Sequence, residues 1–343
     1  MNRSAMLTPR TTRVHRRGVL GSAFTALALL GTAGCSGSGV YATTQVPTKP
    51  PPTSSTPAPS ATPTAAPPAC GDRLASFAPD GPNPAPNASA SGYVATIKTR
   101  GRLIAGVSSD TLLLGSRNPL DGQIQGFDIE MLKAVSKAIF GDPNKIEFRV
   151  ITTAQRIPVL SGDPADDVDI VARAMTITCA RWEQIGFSTE YYRAGQKVLV
   201  AKGSTVKAME DLKGKKVCAP NGSTSMDKLK TFSGLIPVGS DTHTGCLVLF
   251  QQGKVDAITG DDTILAGLAA QDPYAFVVKA PAFTAEPYGL GISKKNPDFV
   301  KFVNRVLEQI RADGQWTTAY NTWLRDALGP APAPPVAVYG RPE

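Results

Sequence analysis

Histidine is nearly absent from this sequence, and its cysteines are never closely spaced. The 343 residues include two histidines, His15 and His243, and the five cysteines form no Cys-x-x-Cys pair. Zinc sites take most of their ligands from histidine and cysteine at short spacings. The pattern therefore predicts no metal site and no cofactor. A nucleophile paired with a base is not visible either, which argues against an enzyme.

Most of the excess of basic residues lies at the start of the chain. The first 34 residues contain five arginines, no acidic residue and the apolar stretch Val19–Leu30. This layout predicts a signal peptide over residues 1–34, and the stretch is too short to span a membrane. Removing those five from the 36 basic residues leaves 31 against 28 acidic residues, a net charge of +3. So small a charge does not favour binding to nucleic acid.

Cys35 follows three small residues, the first of which is Thr32. The arrangement resembles the lipobox of bacterial lipoproteins, in which the cysteine becomes the lipidated N-terminus, although Thr32 stands where that motif usually has leucine. The pair Arg16–Arg17 is typical of a twin-arginine signal and equally of an ordinary basic leader, so both export routes stay open. We predict a lipoprotein anchored to the outer face of the cytoplasmic membrane.

The segment after Cys35 is rich in proline and poor in charged and large apolar side chains. Residues 35–92 contain thirteen prolines, all between Pro47 and Pro86. Such a composition cannot bury enough apolar surface to fold, so residues 35–92 are predicted to form a disordered tether. Residues 329–343 are predicted to form a proline-rich C-terminal tail.

Strand and helix patterns alternate through the rest of the chain. Arg102–Val107 and Val168–Arg173 are runs typical of buried strands. Phe127–Phe140 repeats apolar residues every three or four positions, which predicts an amphipathic helix. The alternation predicts an α/β fold with mostly parallel sheets covered by helices on both faces.

Polar residues follow the predicted strand that starts at Val168. The segment from Thr176 to Arg181 begins with hydroxyl groups and ends with a guanidinium. Ligands of open α/β sheets bind beyond the carboxyl ends of the strands, and an arginine there can hold a carboxylate through two hydrogen bonds. An ordinary surface arginine is the alternative, and this segment alone does not exclude it.

Ten segments, in order along the chain, carry a resemblance to a known family. They are Arg102–Val107, Gly126–Glu130, Val168–Ile170, Thr176–Arg181, Phe187–Tyr192, Asp211–Val217, Asn221–Ser225, Gly253–Ala257, Pro287–Gly289 and Gly314–Trp316. Through them the chain resembles the family 3 extracellular solute-binding proteins, the polar amino-acid class that serves ABC importers. Its layout is similar to that of actinobacterial glutamine/glutamate-binding lipoproteins.

This resemblance implies two Rossmann-like lobes joined by a two-strand hinge, a type II periplasmic binding fold. Lobe 1 would comprise residues 93–193 and 287–328, and lobe 2 the inserted residues 194–286. Four cysteines remain after Cys35, and export predicts two disulfides with three possible connectivities. We favour Cys70–Cys179 with Cys218–Cys246, because the second pair then lies within lobe 2. Four free thiols are the alternative.

The resemblance also implies roles for residues of both lobes. Arg181 matches the family's clamp for the ligand carboxylate, and Thr176 matches the hydroxyl beside it. Ser223 and Thr224 follow a strand and open a helix, where backbone N–H groups favour an anion, and they also suit a plain N-cap. Asp261 matches the aspartate that receives the ligand ammonium. One ligand held by both lobes would favour the closed hinge.

Selectivity for the ligand side chain depends on two further arginines. Arg173 lies at the strand end, where a cation would favour glutamate or aspartate, and its alternative role is to pair with an acid at position 166, 167 or 169. Arg117 is a second candidate. Ser108 stands where glutamine binders of the family often have an acid. Leu113–Leu114 stands where an aromatic residue often covers the ligand.

These features predict a monomeric, lipid-anchored protein that binds a free amino acid and delivers it to an ABC permease. The expected ligand is polar and acidic, glutamate or aspartate, with glutamine and asparagine as the other candidates. A sensor that reports the amino acid to a membrane signalling protein would use the same cleft. A dehydratase-like enzyme is the third hypothesis, and the missing base argues against it.

Overall fold

The computed structural model describes residues 70–80, 91–161 and 168–342, which belong to one compact unit of the chain. The predicted signal peptide, Cys35 and most of the predicted tether lie outside the described residues. Within the described ranges, no helix is long and apolar enough to cross a membrane.

The described residues form fifteen strands and nine α-helices. The strands are β1 Leu103–Val107, β2 Asp110–Thr111, β3 Gly115–Arg117, β4 Ile124–Gln125, β5 Ile146–Val150, β6 Ile170–Ala172, β7 Ile185–Phe187, β8 Tyr192–Ala194, β9 Gln196–Ala201, β10 Lys216–Pro220, β11 Ile236–Ser240, β12 Ala257–Asp261, β13 Ala275–Val277, β14 Glu286–Tyr288 and β15 Gly291–Ser293. The helices are α1 Gly92–Arg100, α2 Phe127–Phe140, α3 Cys179–Trp182, α4 Thr224–Leu229, α5 His243–Gln251, α6 Asp262–Gln271, α7 Pro297–Ala312, α8 Gln315–Trp323 and α9 Arg325–Leu328.

Two five-stranded sheets organise the fold. The first has the strand order β5-β1-β6-β15-β7, and the second has the order β11-β10-β12-β9-β13. In each sheet the first three strands are parallel and the fourth runs antiparallel to both of its neighbours. We call the part built on the first sheet lobe 1 and the part built on the second sheet lobe 2. The predicted α/β class is confirmed.

Both faces of the second sheet are buried, because successive side chains of a strand point to opposite faces. In β9, Val198 and Val200 pack into one apolar cluster and Leu199 packs into another. In β10, Val217 and Cys218 divide between the same two clusters. Side chains of α4 complete the first cluster, and side chains of α5 and α6 complete the second.

Two buried strands carry the chain between the lobes. Strand β8 leads from lobe 1 to lobe 2, and β14 leads back. They pair antiparallel, with Glu286 opposite Ala194 and Tyr288 opposite Tyr192. Side chains of β14 therefore lie beside the ends of strands from both sheets, where the polar segments of the sequence come together.

Two disulfides join elements within the described part of the chain, in the pairing favoured from the sequence. Cys218 of β10 bonds Cys246 of α5, with their Cα atoms 5.6 Å apart. Cys70 bonds Cys179 of α3, with a Cα separation of 5.3 Å. The second bond holds a segment near the start of the described chain against lobe 1.

The tether prediction is wrong for residues 70–80, which pack against lobe 1. Ser76 is fully buried; its hydroxyl donates to the carbonyl of Phe187 at 2.7 Å and accepts from the Asn304 amide at 2.8 Å. Ser76 also forms a parallel β-bridge with Tyr339, inside the predicted tail. A disulfide and hydrogen bonds hold this segment, so a prediction based on apolar burial missed it.

Candidate functional site

A polar cleft lies between the lobes, next to the two crossing strands. Its lining polar residues are Ser108, Thr111, Asp128, Thr153, Arg156, Arg173 and Thr176 from lobe 1, and Ser223, Thr224, Ser225, His243 and Asp261 from lobe 2. The closed cleft is narrow, with a volume of about 20 Å³. That is roughly the space of one water molecule, so a larger ligand requires the lobes or the lining side chains to move.

The loop after β6 forms the lobe 1 side of the cleft. Ala174 adopts a left-handed backbone conformation, with φ of 43°, which is costly for a residue with a side chain. The Asp128 carboxylate holds the loop by accepting from the Ala174 amide at 2.9 Å and from the Tyr191 hydroxyl at 2.6 Å. Burial raises the pKa of Asp128 to about 6. Asp128 thus shapes the loop that presents Thr176.

Arg181 lies on α3, directly after this loop. Thr178 caps the helix by accepting from the Arg181 amide at 3.2 Å. The Arg181 guanidinium donates to the carbonyl of Thr176 at 2.7 Å and to the carbonyl of Gly222 in lobe 2 at 3.3 Å. Burial lowers the pKa of Arg181, while the Glu286 carboxylate opposes that shift. Arg181 therefore lies beside the cleft and bonds to backbone of both lobes.

Arg156 is a buried cleft residue that the sequence reasoning missed. It donates to the carbonyls of Thr153, Ala174 and Gly222, at 2.9, 2.9 and 3.1 Å. Burial lowers its pKa well below the usual value, and the nearby Arg181 adds to this effect. Its short 3-10 helix, Ala154–Arg156, has no periodic pattern, so the sequence carried no signal for this role.

Arg173 lines the cleft, as predicted from its place at the strand end. Its Nε donates to the Ile151 carbonyl at 2.9 Å, and its Nη1 donates to the Thr153 hydroxyl at 2.7 Å. Burial lowers the pKa of Arg173 to about 10. Of its alternative partners, Asp169 instead accepts from Arg100, whereas positions 166 and 167 lie outside the described residues.

Asp261 ends β12 and brings an unpaired carboxylate oxygen to the cleft. Its Oδ2 accepts from the Tyr288 hydroxyl at 2.5 Å, whereas its buried Oδ1 has no partner among the described residues. Burial and, to a lesser extent, the charge of Glu286 together raise the pKa of Asp261 to about 7. A buried unpaired acceptor is costly, so Oδ1 is well placed to accept a hydrogen bond from a cationic group.

Glu286 of the crossing strand β14 joins threonines of both lobes. One oxygen, Oε2, accepts from the hydroxyl of Thr176 in lobe 1 at 2.7 Å and of Thr224 in lobe 2 at 2.8 Å. The other oxygen accepts from Thr284 at 2.6 Å. The sequence reasoning missed this residue, because a glutamate before a proline in a strand has no motif of its own.

His243 lines the cleft, although the sequence predicts no role for it there. It is the first residue of α5 and is 7 % exposed, and within the described part of the chain its Nε2 has no hydrogen-bond partner. Burial lowers its pKa to about 3, so the ring is neutral at physiological pH. Gly260 leaves room for the ring, because a Cβ there would lie 2.5 Å from Nε2.

The predicted N-cap at Ser223 is present. Its hydroxyl accepts from the Met226 amide at 3.0 Å and donates to the Pro220 carbonyl at 2.6 Å. Ser223 and Thr224 both line the cleft, together with Arg173, Thr176 and Asp261.

Arg117 does not reach the cleft. It is exposed, and its Nη1 donates to the Gly122 carbonyl at 2.6 Å within the β3–β4 hairpin. The hairpin turns the side chain onto its own backbone, which a prediction based on loop position could not foresee.

The comparison with known families agrees with this two-lobed cleft. Residues 103–326 match the bacterial extracellular solute-binding proteins, family 3. The chain belongs to this family. Solute-binding proteins of this family are extracellular, and the matched residues include both lobes and the crossing strands.

This solute-binding protein is similar to two proteins whose names say that they bind glutamine or glutamate. It is 36% identical over 235 residues to the ABC transporter glutamine-binding protein GlnH of Bacillus subtilis, covering 68% of this chain and 85% of that protein. It is 32% identical over 250 residues to the glutamate-binding protein GluB of Corynebacterium efficiens, covering 69% and 82%.

Solved structures give the same fold. An ancestral arginine-binding protein bound to glutamine matches with a TM-score of 0.61 and 32% identity, covering 66% of this chain and 98% of that one. A solute receptor for L-cysteine of Neisseria gonorrhoeae matches with a TM-score of 0.64 and 26% identity, covering 69% and 95%.

Replacing Glu286 should shift this solute-binding protein from the closed toward the open arrangement. Glu286→Met keeps the side-chain length but leaves the hydroxyls of buried Thr176 and half-buried Thr224 and Thr284 without this acceptor, at a cost of about 2 kcal/mol or more. Opening relieves part of this cost, because the Thr224 hydroxyl then reaches water. We expect a larger radius of gyration by small-angle X-ray scattering.

Thr284→Val is the matched control for this variant. It removes the donor to Oε1 and leaves both contacts at Oε2, so the radius of gyration should stay at the wild-type value. Equal radii for wild type and Glu286→Met would contradict the bridging role.

Proposed function

We propose that this solute-binding protein captures a polar amino acid with an acidic side chain, glutamate or aspartate, and delivers it to an ABC importer. The observation that carries the proposal is the arrangement of buried charges. Arginines of lobe 1 lie on one side of the cleft, and the unpaired Oδ1 of Asp261 lies on the other. An amino acid brings one group of each sign at a fixed separation.

Arg181 holds the carboxylate end of the ligand in this proposal. Its guanidinium already lies next to Thr176 and bonds to the Gly222 carbonyl across the cleft. Charge-assisted bonds to a carboxylate are stronger than bonds to neutral carbonyls, so a ligand carboxylate replaces them favourably. Binding of the ligand carboxylate therefore alters the hydrogen bond that Arg181 makes to Gly222 in lobe 2.

Asp261 holds the ammonium end. Its Oδ1 is buried and without a partner in the described structure, and the Tyr288 hydroxyl fixes the orientation of the carboxylate. An ammonium donor removes the cost of the unpaired oxygen and favours the charged form of the aspartate. Ligand binding thereby gives a buried carboxylate oxygen of the cleft a hydrogen-bond donor.

The remaining cleft residues favour an acidic side chain. Arg156 and Arg173 both line the cleft, and the neutral ring of His243 can donate one hydrogen bond. A buried guanidinium group whose charge is not paired with a carboxylate favours an anionic ligand group. The glutamate-binding name of the Corynebacterium relative agrees with this proposal, and the glutamine-binding name of the Bacillus relative makes glutamine the main competitor.

Export and anchorage complete the proposal. The leader over residues 1–34 and the lipobox-like Cys35 support a monomeric lipoprotein on the outer face of the cytoplasmic membrane. The Bacillus relative is named as part of an ABC transporter, which supports a permease as the partner. Loss of the ligand response on deleting that permease would separate transport from sensing.

Replacing Arg181 tests the site directly. Arg181→Ala should reduce the affinity for L-glutamate by about 100-fold or more, because a buried charge-assisted clamp contributes roughly 3 kcal/mol. Calorimetry of purified protein gives the measurement, after the wild type has been titrated with the twenty amino acids. Arg117→Ala is the matched control, since that arginine is exposed in the hairpin, and it should bind as the wild type does. Near-native affinity of Arg181→Ala would refute the site assignment.

Replacing Arg173 tests the preference for acidic ligands. Arg173→Ala should lower the affinity for glutamate at least about tenfold more than the affinity for glutamine, because only glutamate carries a side-chain charge. The ratio of the two affinities is the informative quantity, since a general loss of structure weakens both ligands alike. Equal losses for the two ligands would show that Arg173 does not select the charge.

The pKa of Asp261, about 7, predicts that binding depends on pH. The ammonium favours the carboxylate, so the affinity should be highest above the pKa and fall as the pH drops, by roughly tenfold from pH 8 to pH 6. Calorimetry near pH 7 in buffers of different ionisation enthalpy should show release of about half a proton per ligand. An affinity that stays constant over this range, with no proton release, would exclude Asp261 as the ammonium site.

A further inference from the structure

Helix α3, which carries Arg181, consists of only four residues. A helix this short is not stable by itself, because its first turn costs more conformational entropy than its few hydrogen bonds return. On the side of α3 next to the cleft, the Arg181 guanidinium donates to the carbonyls of Thr176 and Gly222. The other side of α3 must therefore be held by the rest of the molecule.

The segment near the start of the described chain contacts that other side. Cys70 forms a disulfide with Cys179, the first residue of α3. The indole N–H of Trp182, the last residue of α3, donates to the Arg73 carbonyl at 2.9 Å. The Phe77 ring packs edge-on against Trp182, with centroids 6.1 Å apart. Both ends of the helix are thus attached to one short segment.

The C-terminal segment contacts the same helix. The Arg341 guanidinium lies over the Trp182 ring, 3.8 Å from its centroid. A guanidinium at this distance from a tryptophan face is attracted by the ring quadrupole. Arg341 belongs to the predicted proline-rich tail. Two segments that are far apart in the sequence therefore meet at α3.

The two terminal segments also bind each other. The Arg341 side chain donates to the Ala75 carbonyl at 2.7 Å and to the Asp72 carbonyl at 3.0 Å. The Ser76 amide donates to the Val338 carbonyl at 3.0 Å, and the Arg341 amide donates back to the Ser76 carbonyl at 3.2 Å. We call residues 70–77 and 338–341 together the terminal clamp.

Lobe 1 fixes the clamp in place. The Asn304 side chain of α7 donates to the Ser76 hydroxyl and to the Phe77 carbonyl, both at 2.8 Å. The Tyr339 hydroxyl donates to the Glu308 carboxylate of the same helix at 2.7 Å. The clamp therefore connects α7, a long helix of the lobe 1 core, to the short helix beside the cleft.

We propose that the terminal clamp positions Arg181, so that residues 70–77 and 338–341 set the ligand affinity of the cleft. The clamp residues touch no cleft group themselves; they act by holding α3. This inference rests on the proposed function, because it assigns ligand binding to Arg181. An arginine held in place before binding loses less side-chain and backbone entropy when the ligand carboxylate arrives.

Three variants loosen the clamp at different points. Cys70→Ser with Cys179→Ser removes the covalent link. Arg341→Ala removes the contact with the Trp182 ring and the bonds to the 70–77 segment. Trp182→Phe removes the indole donor and shrinks the ring that Phe77 and Arg341 contact. Each should bind L-glutamate and L-glutamine at least about fivefold more weakly by calorimetry, with the double cysteine variant affected most. The single variants keep the experiment decisive if the double variant does not fold.

Asp80→Asn is the matched control. Asp80 lies in the same described segment, and its exposed carboxylate pairs with the half-buried Lys301 at 3.0 Å. It should bind both amino acids with wild-type affinity.

Hydrogen–deuterium exchange separates positioning from a general structural role. In the clamp variants, amide exchange should rise at residues 179–184 and stay at wild-type rates in the strands of the first sheet. Unchanged affinity, or faster exchange spread evenly through lobe 1, would overturn the proposal. If the wild type binds none of the twenty amino acids, the proposed function fails, and exchange at α3 still decides whether the clamp holds the helix.

Discussion

The closed cleft depends on the hydrogen bonds that buried charged groups make between two lobes, each built around its own sheet. Arg156 and Arg181 of lobe 1 both donate to the carbonyl of Gly222 in lobe 2. The Glu286 carboxylate accepts hydrogen bonds from hydroxyl groups of both lobes. Charges buried this deeply are costly unless their hydrogen bonds are made, so the lobes can approach only in a relative position where donors and acceptors match.

Gly222 shows how closely the lobes meet. Its φ of 72° is a left-handed conformation, and a Cβ at this position would lie 2.9 Å from the Cα of Ala154. A side chain would therefore strain the turn and separate the two backbones. The same residue offers its carbonyl to two guanidinium groups, so one glycine supplies both the close approach and the acceptor. Asp261, by contrast, has one carboxylate oxygen without a hydrogen-bond partner among the described residues.

Residues 70–77 and 338–341 add further contacts to lobe 1. Residues 35–92 were expected to form a disordered tether, yet Ser76 and Tyr339 join residues 70–77 to the C-terminal segment and to α7. A disulfide, backbone pairing and a cation over the Trp182 ring hold them, together with the packing of Leu74 and Phe77 against the lobe 1 core. Overall composition does not indicate the disulfide partner, the backbone pairing or the few apolar contacts that hold the segment.

The sequence alone determined the α/β class, because the buried-strand pattern of Arg102–Val107 and the amphipathic pattern of α2 depend only on neighbouring residues. It also led to five of the cleft residues, since Thr176, Asp261 and their neighbours directly follow predicted strands. It could not identify Arg156, Glu286 or His243, and it wrongly included Arg117. Only the tertiary structure decided these positions, because burial and pairing of a charge depend on groups that lie far away in the chain.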